Sequence, residues 1–116
     1  MILLNNVCKY LKENQPTKES KEVNETLLTV LMSLEGAYLK YKEPFIEQQL
    51  KNFAGIYAQS NGWVRYIKKQ FLKEIGISLG DLKRELKILE AEGRIQYHRF
   101  AQQTFIELID VQENEK

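Results

Sequence analysis

Two short apolar repeats joined by a glycine turn constrain this chain more than any other feature. Between Lys68 and Gly93 it reads KKQFLKEIGISLGDLKRELKILEAEG. Phe71, Leu72 and Ile75 recur at helical spacing over Lys68–Ile75. Gly76 then lets the chain turn sharply, because glycine enters the left-handed region without steric cost. Ile77 plugs the junction, and Ser78 is a good N-cap for the helix that follows. That helix, about Leu79–Glu92, places Leu82, Leu86 and Leu89 on one side, and Gly93 ends it.

The flanking segments read as a strand and a hairpin. Trp63–Ile67 is short, aromatic and β-branched, which predicts a small strand. Arg94–Phe100 and Thr104–Ile109 alternate in polarity around the polar turn Ala101-Gln102-Gln103, which predicts a β-hairpin. Upstream, Pro44 suits the first turn of a helix carrying Phe45, Ile46, Leu50, Phe53, Ala54 and Tyr57, ended by Asn61-Gly62. Asn24 is the expected cap of another helix through about Lys42. Its apolar band is wider than one packed face requires: Leu27, Leu31, Leu34 and Tyr38 form one stripe, while Leu28, Val30, Met32 and Leu39 point elsewhere. Glu13–Glu22, with Pro16, reads as a linker. Met1–Lys12 reads as a short helix with Leu3, Leu4, Val7, Cys8 and Leu11 on one stripe, and Val111–Lys116 as a charged tail.

At 116 residues, 43% of them apolar, the chain suits one domain with a real core. Its one cysteine, Cys8, cannot form an internal disulfide and suits a reducing compartment. Leu27–Leu39 is interrupted by Glu35 and too short to span a bilayer, and Met1–Leu4 is too short for a signal peptide, so a cytoplasmic protein is expected. Net charge is only +1. Its distribution is uneven: Val64–Gln103 holds nine Lys/Arg and five Asp/Glu, and the remainder holds eight and eleven. The basic charge lies in the same half as the paired helices.

The strings Gly76-Ile77-Ser78 and Leu86-Lys87-Ile88-Leu89-Glu90-Ala91-Glu92-Gly93, followed by the hairpin Arg94–Ile109, resemble the winged helix-turn-helix superfamily of DNA-binding proteins. Bacterial, phage, plasmid and archaeal members carry this order, often with a short strand before the first motif helix. The resemblance implies a mainly α fold with a small β-hairpin wing: a winged helix-turn-helix over 43–110, an N-terminal helical extension over 1–42 available for dimerisation, and a tail over 111–116. It implies that the 79–92 helix enters the major groove of double-stranded DNA, with the 94–109 wing on the backbone or minor groove.

The implied DNA-binding residues are Ser78, Leu79, Gly80, Asp81, Lys83, Arg84 and Lys87 on that helix and its cap. Lys68 and Lys69 precede it, and Arg99, Gln102 and Gln103 lie at the wing tip. Arg84 and Lys87 sit opposite the leucine stripe and suit phosphate. Asp81 fits only as an acceptor for a cytosine amino group, and Glu85 repels phosphate. Ile88 falls on the outward side and suits a protein contact or packing under the wing.

Other chemistry is not indicated. His98 and the distant Cys8 cannot make a metal site, and Trp63 reads as core. No phosphate-binding glycine loop or nucleophile motif is present, so neither catalysis nor a cofactor is expected. The expected function is a DNA-binding transcriptional regulator. The alternatives are a replication or partition accessory protein of a plasmid or virus, and a winged-helix adaptor that binds protein instead of DNA. The surplus apolar surface on the 24–42 helix predicts a homodimer through that helix, with 1–12 assisting.

Overall fold

The computed structural model describes residues 5–109. Five helices and three short strands follow in the order α1 (Asn6–Asn14), α2 (Lys21–Tyr41), α3 (Pro44–Ser60), β1 (Val64–Arg65), α4 (Lys68–Ile75), α5 (Leu79–Ala91), β2 (Ile95–Phe100) and β3 (Gln103–Leu108). The protein is mainly helical with a small three-stranded antiparallel sheet, ordered β1-β3-β2. No helix among the described residues is long and apolar enough to cross a membrane. The expected positions Leu3 and Leu4, and the tail 111–116, lie outside the described residues.

Local chemistry accounts for the boundaries. Asn5 caps α1, its side chain accepting from the Cys8 amide at 2.9 Å. Ser20, not Asn24, caps α2, accepting from the Val23 amide at 3.2 Å. The helix therefore starts one turn earlier than expected and the linker shortens to residues 15–20. Asn24 instead accepts a hydrogen bond from the Ser60 hydroxyl, tying α2 to the end of α3. Pro44 opens α3, and Gly62 closes its exit with a φ of 79°. A Cβ on Gly62 would stand 2.9 Å from Lys18 Cγ and 3.2 Å from the Pro16 carbonyl, so this glycine also admits the 15–19 loop.

The sheet has two working faces. Val64, Ile106 and Tyr97 share one row of the register, and with Ile95 and Leu108 they face α1, α4 and α5. There they meet Val7, Leu11, Phe71, Leu82, Leu86 and Leu89 in the first core. The inward stripe expected of α5 is thus the buried one. The third helical wall of this core is α1, which places Val7 and Leu11 at 0% exposure, whereas the resemblance put α1 in an extension outside the 43–110 module. The reason is register: α1 carries apolar residues at i, i+1 and i+4, enough to fill the gap between α5 and β3. Helix α3 packs on α2 instead, in a second core of Leu31, Leu50 and Ala54 with Leu34, Tyr38, Phe53 and Tyr57. Phe100 and Ala101 of the hairpin tip join that second core.

Candidate nucleic-acid interface

The turn between α4 and α5 is built as its residues require. Gly76 adopts φ 78°, and the Ser78 hydroxyl accepts from the Asp81 amide at 3.1 Å. This leaves Leu79 and Gly80 exposed at the free N-terminal turn of α5. Beyond them Lys83, Arg84, Lys87 and Ile88 are exposed along the helix, Arg84 and Ile88 on its outer surface. Arg84 donates to Asp81 at 2.7 Å across one turn. Both groups are well solvated, so the pair adds little stability, but it offsets the positive charge at that point.

Glu85 departs from its expected place. It does not stand on the free surface of α5. Its carboxylate accepts from the Val7 amide at 3.0 Å and from the Asn6 side chain at 3.4 Å, and its carbonyl accepts from the Asn5 side chain. A carboxylate here satisfies an amide at the start of α1 and opposes the positive end of that helix. Glu85 is thereby held against α1, away from the lysines.

Between α5 and the sheet runs an open groove of about 350 Å³, lined by Tyr66, Lys83, Leu86, Lys87, Glu90, Tyr97 and Thr104. Two lysines stand on one wall and two tyrosines and a threonine close the other, a set of donors suited to phosphate oxygens. Burial raises the hydroxyl pKa of Tyr66 and of Tyr97, and the Glu90 carboxylate raises Tyr97 further. Both hydroxyls are therefore donors at neutral pH. Arg99 adjoins the groove, because it pairs with Thr104 in the β2–β3 register. Lys68 and Lys69 are exposed at the start of α4, directly after the Tyr66-Ile67 step.

The hairpin tip is more constrained than expected. Ala101 and Gln102 have φ of 51° and 66°, and Phe100 pairs with Gln103, so the tip is a two-residue turn of the mirror-image kind. Gln102 is exposed. Gln103 belongs to β3, its side chain half-buried, and its Oε1 has no hydrogen-bond partner among the described residues. On the same sheet face His98 bonds Glu107 at 2.8 Å and stacks on Trp63 at 3.7 Å between ring centroids. Tyr57 and Phe100 complete that aromatic group.

No protein family, curated protein or solved structure matches this chain.

Of the expected residues, the structure brings Lys83 and Lys87 together in the groove, with Arg99 beside it. Ser78, Leu79, Gly80, Asp81 and Arg84 lie outside it, on the start and outer surface of α5. Sequence reading missed Tyr66, Tyr97 and Thr104. The strand alternation held a signal for one of them, since Tyr97 stands two residues from both Ile95 and Arg99 and so shares their face. No group of three or more metal-ligating side chains occurs among the described residues.

Proposed function

We infer that this chain is a winged helix-turn-helix DNA-binding protein acting as a transcriptional regulator. Helix α5 lies in the major groove, β2–β3 is the wing, and the N-terminal part of the chain supplies both α1 and the α2–α3 extension. The observation carrying this reading is the groove between α5 and the sheet, where Lys83 and Lys87 face Tyr66, Tyr97 and Thr104. A duplex strand running along it meets cations on the helix side and neutral donors on the sheet side. With Glu85 withdrawn against α1, the acidic side chains left near this path are Glu90 in the groove and Asp81 beside Arg84. The wing tip leans on the second core through Phe100 and Ala101, so Arg99 and Gln102 serve the phosphate backbone and do not insert deeply into the minor groove.

Salt-dependent binding to duplex DNA tests this. Replacing both Lys83 and Lys87 by alanine is expected to flatten the log–log salt slope by about two, with thermal melting unchanged. Unchanged affinity and slope would remove this groove from the DNA face. A second reading is favoured by Ile88, which is 43% exposed in the middle of the outer surface of α5. An adaptor that docks a protein there predicts almost no salt-dependent DNA binding, and a lost protein contact on Ile88→Lys.

A further inference from the structure

Strand β1 has one paired edge and one bare edge, since the sheet order β1-β3-β2 puts β3 on only one side of it. The Tyr66 amide donates to the Thr104 carbonyl at 2.9 Å, one step beyond the Arg65–Phe105 pair of the register. Bonded and outward-facing residues alternate along such a strand, so Val64 and Tyr66 bond β3 while Arg65 turns its N–H and C=O outward. The extended backbone continues through Ile67, at φ −118° and ψ 107°, which turns the Ile67 N–H to the same bare side. None of these three groups has a hydrogen-bond partner among the described residues. Donor, acceptor and donor thus follow one another along the edge, the pattern with which a further strand pairs. Beside this edge lies an open groove of about 350 Å³, between α3 and the end of α1. Asn14, Asn52 and Gln59 bring side-chain amides to it, Arg65 its guanidinium, and Gly55 and Ile56 an apolar wall. Ile56 is 47% exposed, and a Cβ on Gly55 would meet nothing within 4 Å, so the wall leaves room for a side chain from outside. Ile67, 40% exposed, stands two residues from Arg65 and shares its face of the strand. No carboxylate of the described residues lines the groove, and Lys68 and Lys69 are exposed just beyond it in sequence.

We propose that this edge takes an extended acidic segment of a partner protein as a further strand. The carboxylates of that segment meet Arg65, Lys68 and Lys69, and its apolar side chains rest on Ile56 and Ile67. Three observations select this occupant. The first is charge: Arg65, Lys68 and Lys69 place three cations within a run of five residues, with no carboxylate in that run. The second is the backbone pattern. A nucleic-acid phosphate would accept from the Arg65 and Ile67 amides but would leave the Arg65 carbonyl facing an anion. A peptide strand instead supplies one donor between two acceptors, which satisfies all three groups. The third excludes a second copy of this chain. Pairing through the same edge about a two-fold axis would set Arg65 near Arg65 and lysines near lysines. The edge is short, so its main-chain bonds fix the register of the segment and the cations supply the attraction. The docking stands whether or not α5 binds DNA, because the bare edge of β1 lies outside the groove of Lys83 and Lys87.

The probe is a short capped peptide of alternating glutamate and valine, added to the isotope-labelled full chain and followed by amide hydrogen exchange in NMR spectra. At saturation it is expected to slow exchange of the Arg65 and Ile67 amides at least about tenfold, because both gain an acceptor. Arg65→Glu, at an exposed site, is expected to weaken peptide binding at least about fivefold with the circular-dichroism spectrum unchanged. If that variant loses its fold, Lys68→Glu with Lys69→Glu carries the same test outside the strand. Oligothymidylate of equal charge is expected to leave the exchange of both amides as it is in the free chain. No slowing at roughly millimolar peptide, undiminished affinity in the folded charge variant, or equal slowing by oligothymidylate overturns the proposal.

Discussion

Glu85→Ala separates two roles for one carboxylate. The acid sits on the helix proposed to meet DNA, yet its oxygens serve α1. Removing it strips the partly buried Val7 amide of its partner at 3.0 Å. Loss of a capping-type bond costs about 1 kcal/mol, and loss of a negative charge at a helix start a further 0.3–1 kcal/mol, roughly. Asn5 still caps the Cys8 amide, so α1 stays formed and the total remains about 1–2 kcal/mol. In urea, with a slope of about 1–2 kcal/mol per molar, the midpoint should fall by roughly 1 M. Glu85→Gln keeps an acceptor but not the charge and should lose about half as much. A midpoint unmoved by Glu85→Ala, together with tighter DNA binding, would refute the reasoning. It would mean that Glu85 is a free carboxylate repelling phosphate.

Leu86→Ala is expected to cost about 2–5 kcal/mol by calorimetry, because Leu86 is buried in the first core and leaves a cavity. Gln102→Gly is expected to raise stability by about 1 kcal/mol, since Gln102 holds a φ of 66° that a side chain disfavours. Tyr66 and Tyr97 titrate above the ordinary tyrosine value of 10.0 when folded, chiefly through burial. The unfolded chain therefore loses these protons first, and stability should hold through neutral pH and fall as pH rises past about 10. Tyr97→Phe should blunt that alkaline loss in pH-dependent urea melts, and an unaltered profile would count against a buried hydroxyl.

What the sequence conveyed was local. Gly76, Ser78 and the Leu82–Leu86–Leu89 stripe carry their conformations in their own chemistry, so the bounds of α4, the cap and the buried side of α5 were legible without a structure. The helix-start rule misled at Asn24, because Ser20 offered an equally good cap one turn earlier and Asn24 bonds a residue 36 positions away. The role of α1 was hidden for a related reason. A nine-residue amphipathic segment declares that it will pack, but not where, and its polar anchor is a glutamate 78 positions on. In the groove, the lysines could be found from helix phase. Tyr66 and Thr104 could not, since their position depends on β1 pairing with β3.

The same long-range anchor bears on how the chain reaches its native state. Val7 and Leu11 are made before α5, β2 and β3, which cover them. Closing α1 onto α5 spans roughly 75 residues of chain, a contact that is slow to form by diffusion alone. The α2–α3 hairpin is local and can form earlier. Once Glu19 and Asn24 are bonded to Ser60, residues on either side of the hairpin lie together. The loop that remains to be closed is then about 35 residues long, which lowers the entropic cost by about 0.7 kcal/mol. Folding of the hairpin thus brings α1 within reach of the helix it packs on, and cutting the bonds at Ser60 should slow refolding more than it lowers stability.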